Sequence, residues 1–120
     1  MSQKNTINQN TTLEIDLKSI CHNFKKIKKK VSKNCIVAAT VKANAYGLGV
    51  EQVTKSLIKH KCKDFFVATL MEGIELRSFN KSVHIYILNG LDVGKCSIYK
   101  KYKLIPVLNS IKQIREYETY

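Results

Sequence analysis

From Cys35 onward the chain alternates two kinds of segment. CIVAATV (35–41), DFFVATL (64–70), VHIYILNG (83–90) and KLIPVLN (103–109) are short, nearly continuous apolar runs rich in β-branched and aromatic residues. Such runs predict strands buried on both faces. In the last, Pro106 removes a ladder donor and is the main objection to a strand. Between the runs, apolar residues recur at helical spacing. VEQVTKSLIKH (50–60) places Val50, Val53, Leu57 and Ile58 on one side. MEGIELRSF (71–79) is a shorter helix carrying Ile74 and Leu76, and LDVGKCSIYKKY (91–102) a weaker one. SIKQIREYE (110–118) reads as a helix capped by Ser110, with Ile111 and Ile114 inward. Ahead of this series, LEIDL (13–17) predicts a short strand. A helix then starts near Leu17 or Lys18 with Asp16 as N-cap and an apolar stripe of Ile20, Phe24, Ile27 and Val31.

Four strand–helix units in succession argue for a parallel sheet covered by helices, joined by right-handed crossovers. Two architectures fit: an open doubly wound sheet, or part of an eight-fold barrel. A complete barrel takes about 250 residues, and the sequence has 120. No GxGxxG follows the first strand, which removes the main support for a dinucleotide fold.

Composition narrows the function classes. The net charge of +12 allows attraction to nucleic acid or acidic lipid, yet the basic residues are nearly all lysines, with only Arg77 and Arg115 to supply forked donors. The lysines of KKIKKK (25–30) fall mostly off the apolar stripe and read as a solvated face, with no nucleic-acid partner expected. Cys21, Cys35, Cys62 and Cys96 form no CxxC and have no histidine cluster beside them, so no metal site is expected and the thiols are read as reduced. No run approaches the roughly 20 apolar residues of a membrane span, and the N-terminus lacks a secretory apolar block. The reading is a cytoplasmic protein with a disordered tail over residues 1–12 and one domain over 13–120.

The candidate chemistry lies in VKANAYGLG, Val41–Gly49. Lys42 closes a strand as apolar as IVAATV, and ligands bind beyond the C-terminal ends of parallel strands in either architecture. A lysine entering a partly apolar mouth can act as an amine nucleophile, typically forming a Schiff base. Gly47 and Gly49 let backbone amides approach a ligand, the next helix start favours a phosphate, and Tyr46 offers a hydroxyl to the same anion. An aldehyde carrying a phosphate, such as pyridoxal 5'-phosphate (PLP), would use all of these.

VKANAYGLG closely resembles the cofactor-lysine motif of the bacterial alanine racemases, which usually reads VKANAYGHG. EIDLKSICHNFKKIKK, FFVATLMEGIELR, YILNGL and LIPVLNSIKQI resemble further segments of that family in the same order, so the resemblance runs from about residue 13 to the end. It implies a partial (β/α)8 TIM-type PLP barrel, with a short strand and helix before about four strand–helix units. It implies that Lys42 carries PLP and is one of two acid–base groups, that Tyr46 bonds the cofactor phosphate, and that L- and D-alanine are interconverted to feed peptidoglycan synthesis. Leu48 replaces the family's usual histidine. The family's second base, a tyrosine of the C-terminal domain supplied across a dimer, and the arginine facing the pyridine nitrogen match no residue here. The expectation is a truncated or split racemase, inactive as an isolated chain, with a complementary C-terminal chain or a homodimer as partner. The alternatives are a non-catalytic remnant and a basic interaction module that kept the half-barrel.

Overall fold

The computed structural model describes residues 12–120, so the tail expected over 1–12 lies, but for Thr12, outside the described residues. Four strands form one sheet: β1 (Ala39–Thr40), β2 (Asp64–Val67), β3 (His84–Ile87) and β4 (Ile105–Pro106). They pair in sequence order, β1-β2-β3-β4, and every pair is parallel. The helical segments are α1 (Leu17–Lys30), α2 (Lys42–Tyr46), α3 (Val50–Lys59), α4 (Leu70–Phe79), α5 (Cys96–Tyr102) and α6 (Ile111–Glu118). A doubly wound sheet reverses its strand order at a switch point. This sheet never does, so of the two architectures it follows the barrel.

The register divides the side chains between two faces. Phe65, Val67, Ile85 and Ile87 share one face and are fully buried. They form the core with Leu57 of α3, Leu76 of α4 and Tyr99 of α5. Gly73 lets α4 approach this layer: a Cβ there would lie 2.5 Å from Ile87 Cδ1 and 3.2 Å from Leu104 Cδ1. The opposite face carries Thr40, Phe66, Tyr86 and Ile105, all partly or well exposed. Phe66 and Tyr86 stack across it with centroids 4.6 Å apart.

The expected elements form, mostly shorter than the apolar runs. Asp16 caps α1, accepting from the Lys18 and Ser19 amides. Ser110 caps α6 through the Gln113 amide. The 35–41 run pairs only at Ala39–Thr40, because Ala39 lies opposite Phe65. In that register, residues before 38 would face Cys62 and Lys63, where the chain is still turning out of α3. No strand forms over 13–17: among the described residues the segment has no pairing partner, and Leu13 is exposed. Leu70 starts α4 rather than ending a strand, since Thr69 is its N-cap. Pro106 is tolerated because β4 pairs on one side only.

Two expectations of burial fail. Ile27 is 52% exposed although Phe24 beside it is buried: α1 packs mainly on α3, and Ile27 lines an open groove shared with Val37–Val41. Ile111 and Ile114 of α6 are also exposed, and no residue of that helix is buried. Helical spacing marks a stripe but does not supply a neighbour to cover it. The lysines at 25, 26, 28, 29 and 30 are exposed, as the pattern predicts. Among the described residues no helix is long and apolar enough to cross a membrane.

Candidate functional site

Lys42 follows directly on β1. The Val41 N–H donates to Phe66 O at 2.8 Å, continuing the ladder one residue past the strand. Val41 is buried, and Lys42, half-buried, opens α2 at the C-terminal end of the sheet. That is the end at which parallel barrels bind ligands.

The backbone then turns with the wrong hand. Ala43, Asn44, Ala45 and Tyr46 have φ of 51°, 54°, 54° and 56°. For L-residues this left-handed conformation costs roughly 1–2 kcal/mol each, and only asparagine is partly suited to it. The turn bonds to itself. The amides of Ala45, Gly47, Leu48 and Gly49 donate to Val41 O, Ala43 O, Ala45 O and Asn44 O at 2.9–3.1 Å. Gly47 and Gly49 close it at φ 84° and 89°, positions that favour glycine. The Asn44 side chain accepts from the Val50 amide at 2.8 Å and so caps α3, whose N-cap Gly49 has no side chain to do it.

The turn is also held from outside. Glu72, in the first turn of α4, accepts from the Ala43 amide through Oε1 at 2.8 Å. Its other oxygen accepts from Ala68 at 2.7 Å and Thr69 at 3.1 Å. Burial pushes the Glu72 carboxyl up, but the Ala43, Thr69 and Ala68 amides and the nearby Lys42 charge outweigh it and hold it below the ordinary value. Sequence reasoning missed Glu72. The T-x-x-E spacing from Thr69 was legible as a capping box; the bond to Ala43, 29 residues upstream, was not.

The structure separates the other candidates. Tyr46 is 62% exposed and lines a groove between α1 and β1 with Phe24, Val37 and Leu48, a groove that Lys42 does not line. The amides of Gly47, Leu48, Gly49 and Val50 all bond within the turn. The glycine segment is therefore not an open cradle for phosphate, because the left-handed run consumes its donors. What fits a cofactor aldehyde here is the half-buried amine on a fixed backbone. A second polar cluster lies at the far, N-terminal end of the strands. There the buried Asp64 carboxylate meets His84 Nδ1 at 2.9 Å and accepts from the Tyr86 hydroxyl at 3.1 Å.

The sequence model of the alanine racemase N-terminal domain matches residues 15–120. The chain belongs to the alanine racemase N-terminal domain family. It is 43% identical over 110 residues to the alanine racemase of Rickettsia prowazekii (strain Madrid E), an alignment covering 91% of this chain and 27% of that protein. It is 42% identical over 110 residues to the enzyme of Rickettsia akari (strain Hartford), covering 91% and 31%. Among solved structures it resembles alanine racemase from Bartonella henselae with covalently bound pyridoxal phosphate, at a TM-score of 0.81 and 33% identity over 88% of this chain and 29% of that one. Alanine racemase from E. faecalis gives 0.80 and 29%, over 87% and 28%. The chain thus spans less than a third of the length of these relatives. Its four-stranded parallel sheet is part of the family's TIM-type barrel.

Proposed function

We propose that this chain supplies the cofactor-lysine half of a PLP-dependent alanine racemase site, on a domain covering residues 13–120. Lys42 would hold PLP through its amine, and Tyr46, the phosphate contact that the resemblance implies, would have to turn from its own groove to reach the phosphate. Supporting this is the placing of the Lys42 amine at a parallel strand end, on a fixed turn, in a chain of this family. When bound, PLP supplies an electron sink for the bond to Cα. Lys42 then moves a proton at Cα on its own side of the substrate. Interconverting L- and D-alanine needs a second group on the opposite side, and the family's tyrosine base matches no residue of this sequence. The complement is the remainder of a racemase, the other strands of the barrel together with the tyrosine-bearing C-terminal domain, working in the cytoplasm with D-alanine passing to peptidoglycan.

The test treats the 120-residue chain with PLP, reduces it with borohydride and maps the labelled lysines by mass spectrometry. Preferential labelling of Lys42, lost on denaturation, is expected; equal labelling across the surface lysines overturns the reading. Residues 1–120 alone should not racemise alanine. Activity should appear when the remainder of a racemase, the rest of the barrel with its C-terminal domain, is added.

A further inference from the structure

We propose that Glu72 is a positioning residue: its carboxylate ties the left-handed turn after Lys42 to the start of α4 and so sets the direction of the Lys42 amine. The inference deepens the reading of Lys42 as the cofactor lysine, and rests on it for the consequence but not for the clamp itself.

The geometry is specific. One carboxylate takes three backbone amides from two different strand–helix junctions: Ala43 after β1, and Ala68 and Thr69 after β2. Among the described residues no other side chain from beyond residues 41–50 bonds this turn. The Thr69 hydroxyl accepts from the Glu72 amide at 3.3 Å, completing a capping box that fixes where Glu72 stands. Gly73 next to it holds α4 hard against Ile87 and Leu104, so the carboxylate cannot drift with its helix.

The turn needs such a clamp. A run of left-handed L-residues persists only when its surroundings over-determine it. The internal bonds of the turn fix its shape but not its orientation, since they move with it. The Ala43 amide is the first after Lys42, so anchoring it fixes the backbone on which the lysine stem starts. A charged acceptor suits the task, because hydrogen bonds to carboxylates are roughly twice as strong as neutral ones. Glutamine cannot replace it. Its single carbonyl can serve either Ala43 or the Ala68–Thr69 pair, and its NH2 then faces a backbone N–H on the other side.

The experiment compares the full 120-residue chain with E72Q and T69A. T69A removes the hydroxyl cap of α4 but leaves the Glu72–Ala43 bond in place. Exchange of the Ala43 amide is followed by NMR, and Lys42 is labelled in parallel by PLP with borohydride and by reductive methylation, which reports only amine access. Expected for E72Q is at least about a tenfold loss of Ala43 protection. PLP selectivity for Lys42 should fall alongside while its methylation is unchanged. T69A should keep both protection and selectivity. Unchanged Ala43 protection in E72Q overturns the proposal, as does an equal loss in T69A, which would make the effect one of helix stability. If the unmodified chain shows no PLP selectivity at Lys42, the cofactor reading fails while Ala43 exchange still decides the clamp. Should E72Q not fold, the wild-type chain decides: the Ala43 and Ala68 amide shifts must titrate together with the Glu72 carboxyl, and an Ala43 shift that ignores that titration overturns the proposal.

Discussion

At the scale of single residues, the site depends on one carboxylate that bridges two strand–helix junctions. The Glu72 carboxyl is held below its ordinary value of 4.5. Its contribution to stability is therefore fully present above that value and is lost as pH falls through the lowered folded one. Urea midpoints of wild type and E72Q should differ most at neutral pH and converge in acid. A constant gap down to pH 2 would show that the carboxylate charge is not what stabilises the turn. The thiols divide in the same physical way. Burial first, with the Asp64 charge in support, pushes the Cys62 thiol up, whereas Cys35 lies exposed. Iodoacetamide at pH 8 should alkylate Cys35 and spare Cys62 until denaturant is added, because the thiolate is the reactive form. Peptide mapping reads the order. The VKANAYGLG motif pointed to Lys42. Glu72 was not legible, because its significance comes from an amide far away in the sequence.

At the scale of elements, what local chemistry writes was legible and what neighbours decide was not. Asp16 and Ser110 cap α1 and α6 as their sequence positions imply. The strands shrank to two or four residues because a strand ends where its partner ends, and the partner's register is not written in the run itself. Ile27, Ile111 and Ile114 show the same limit for helices. The left-handed hand of α2 was hidden too: the glycines announced a turn, but the alanines around them favour an ordinary helix. Arg77 joins the elements at the other end of the sheet. Its guanidinium donates to the carbonyls of Tyr102, Asn80, Val83 and Lys103 at 2.8–3.1 Å, bridging the ends of α4 and α5 and the start of β3. Lysine has no fork with which to reach four acceptors. Arg77→Lys should cost about 2 kcal/mol by loss of charge-assisted bonds, seen as a lower urea midpoint with an unchanged slope. Gly73→Val should cost about 1–3 kcal/mol by overpacking, with Ile87 and Leu104 side-chain resonances shifted.

At the scale of the molecule, among the described residues the sheet is covered on one face only. Thr40, Phe66, Tyr86 and Ile105 lie on the other, where a barrel would place its interior. Ile105 is 38% exposed on an edge strand. Ile105→Lys should therefore reduce binding of a dye such as ANS and reduce self-association, with far-UV circular dichroism retained, since a lysine on an edge blocks further pairing. The consecutive strand order has a consequence for how the chain is made. Each strand pairs with the one synthesised just before it, so no strand leaving the ribosome has to wait for a distant one. Pairing between neighbours keeps the loops to be closed short and the growth of the sheet quick. The helix-covered face can thus consolidate unit by unit during translation, at about 5–20 residues per second, while the Phe66–Tyr86 face stays wet. A period of vulnerability to aggregation would then be set by how long that second face stays open, and not by the folding of the four units themselves.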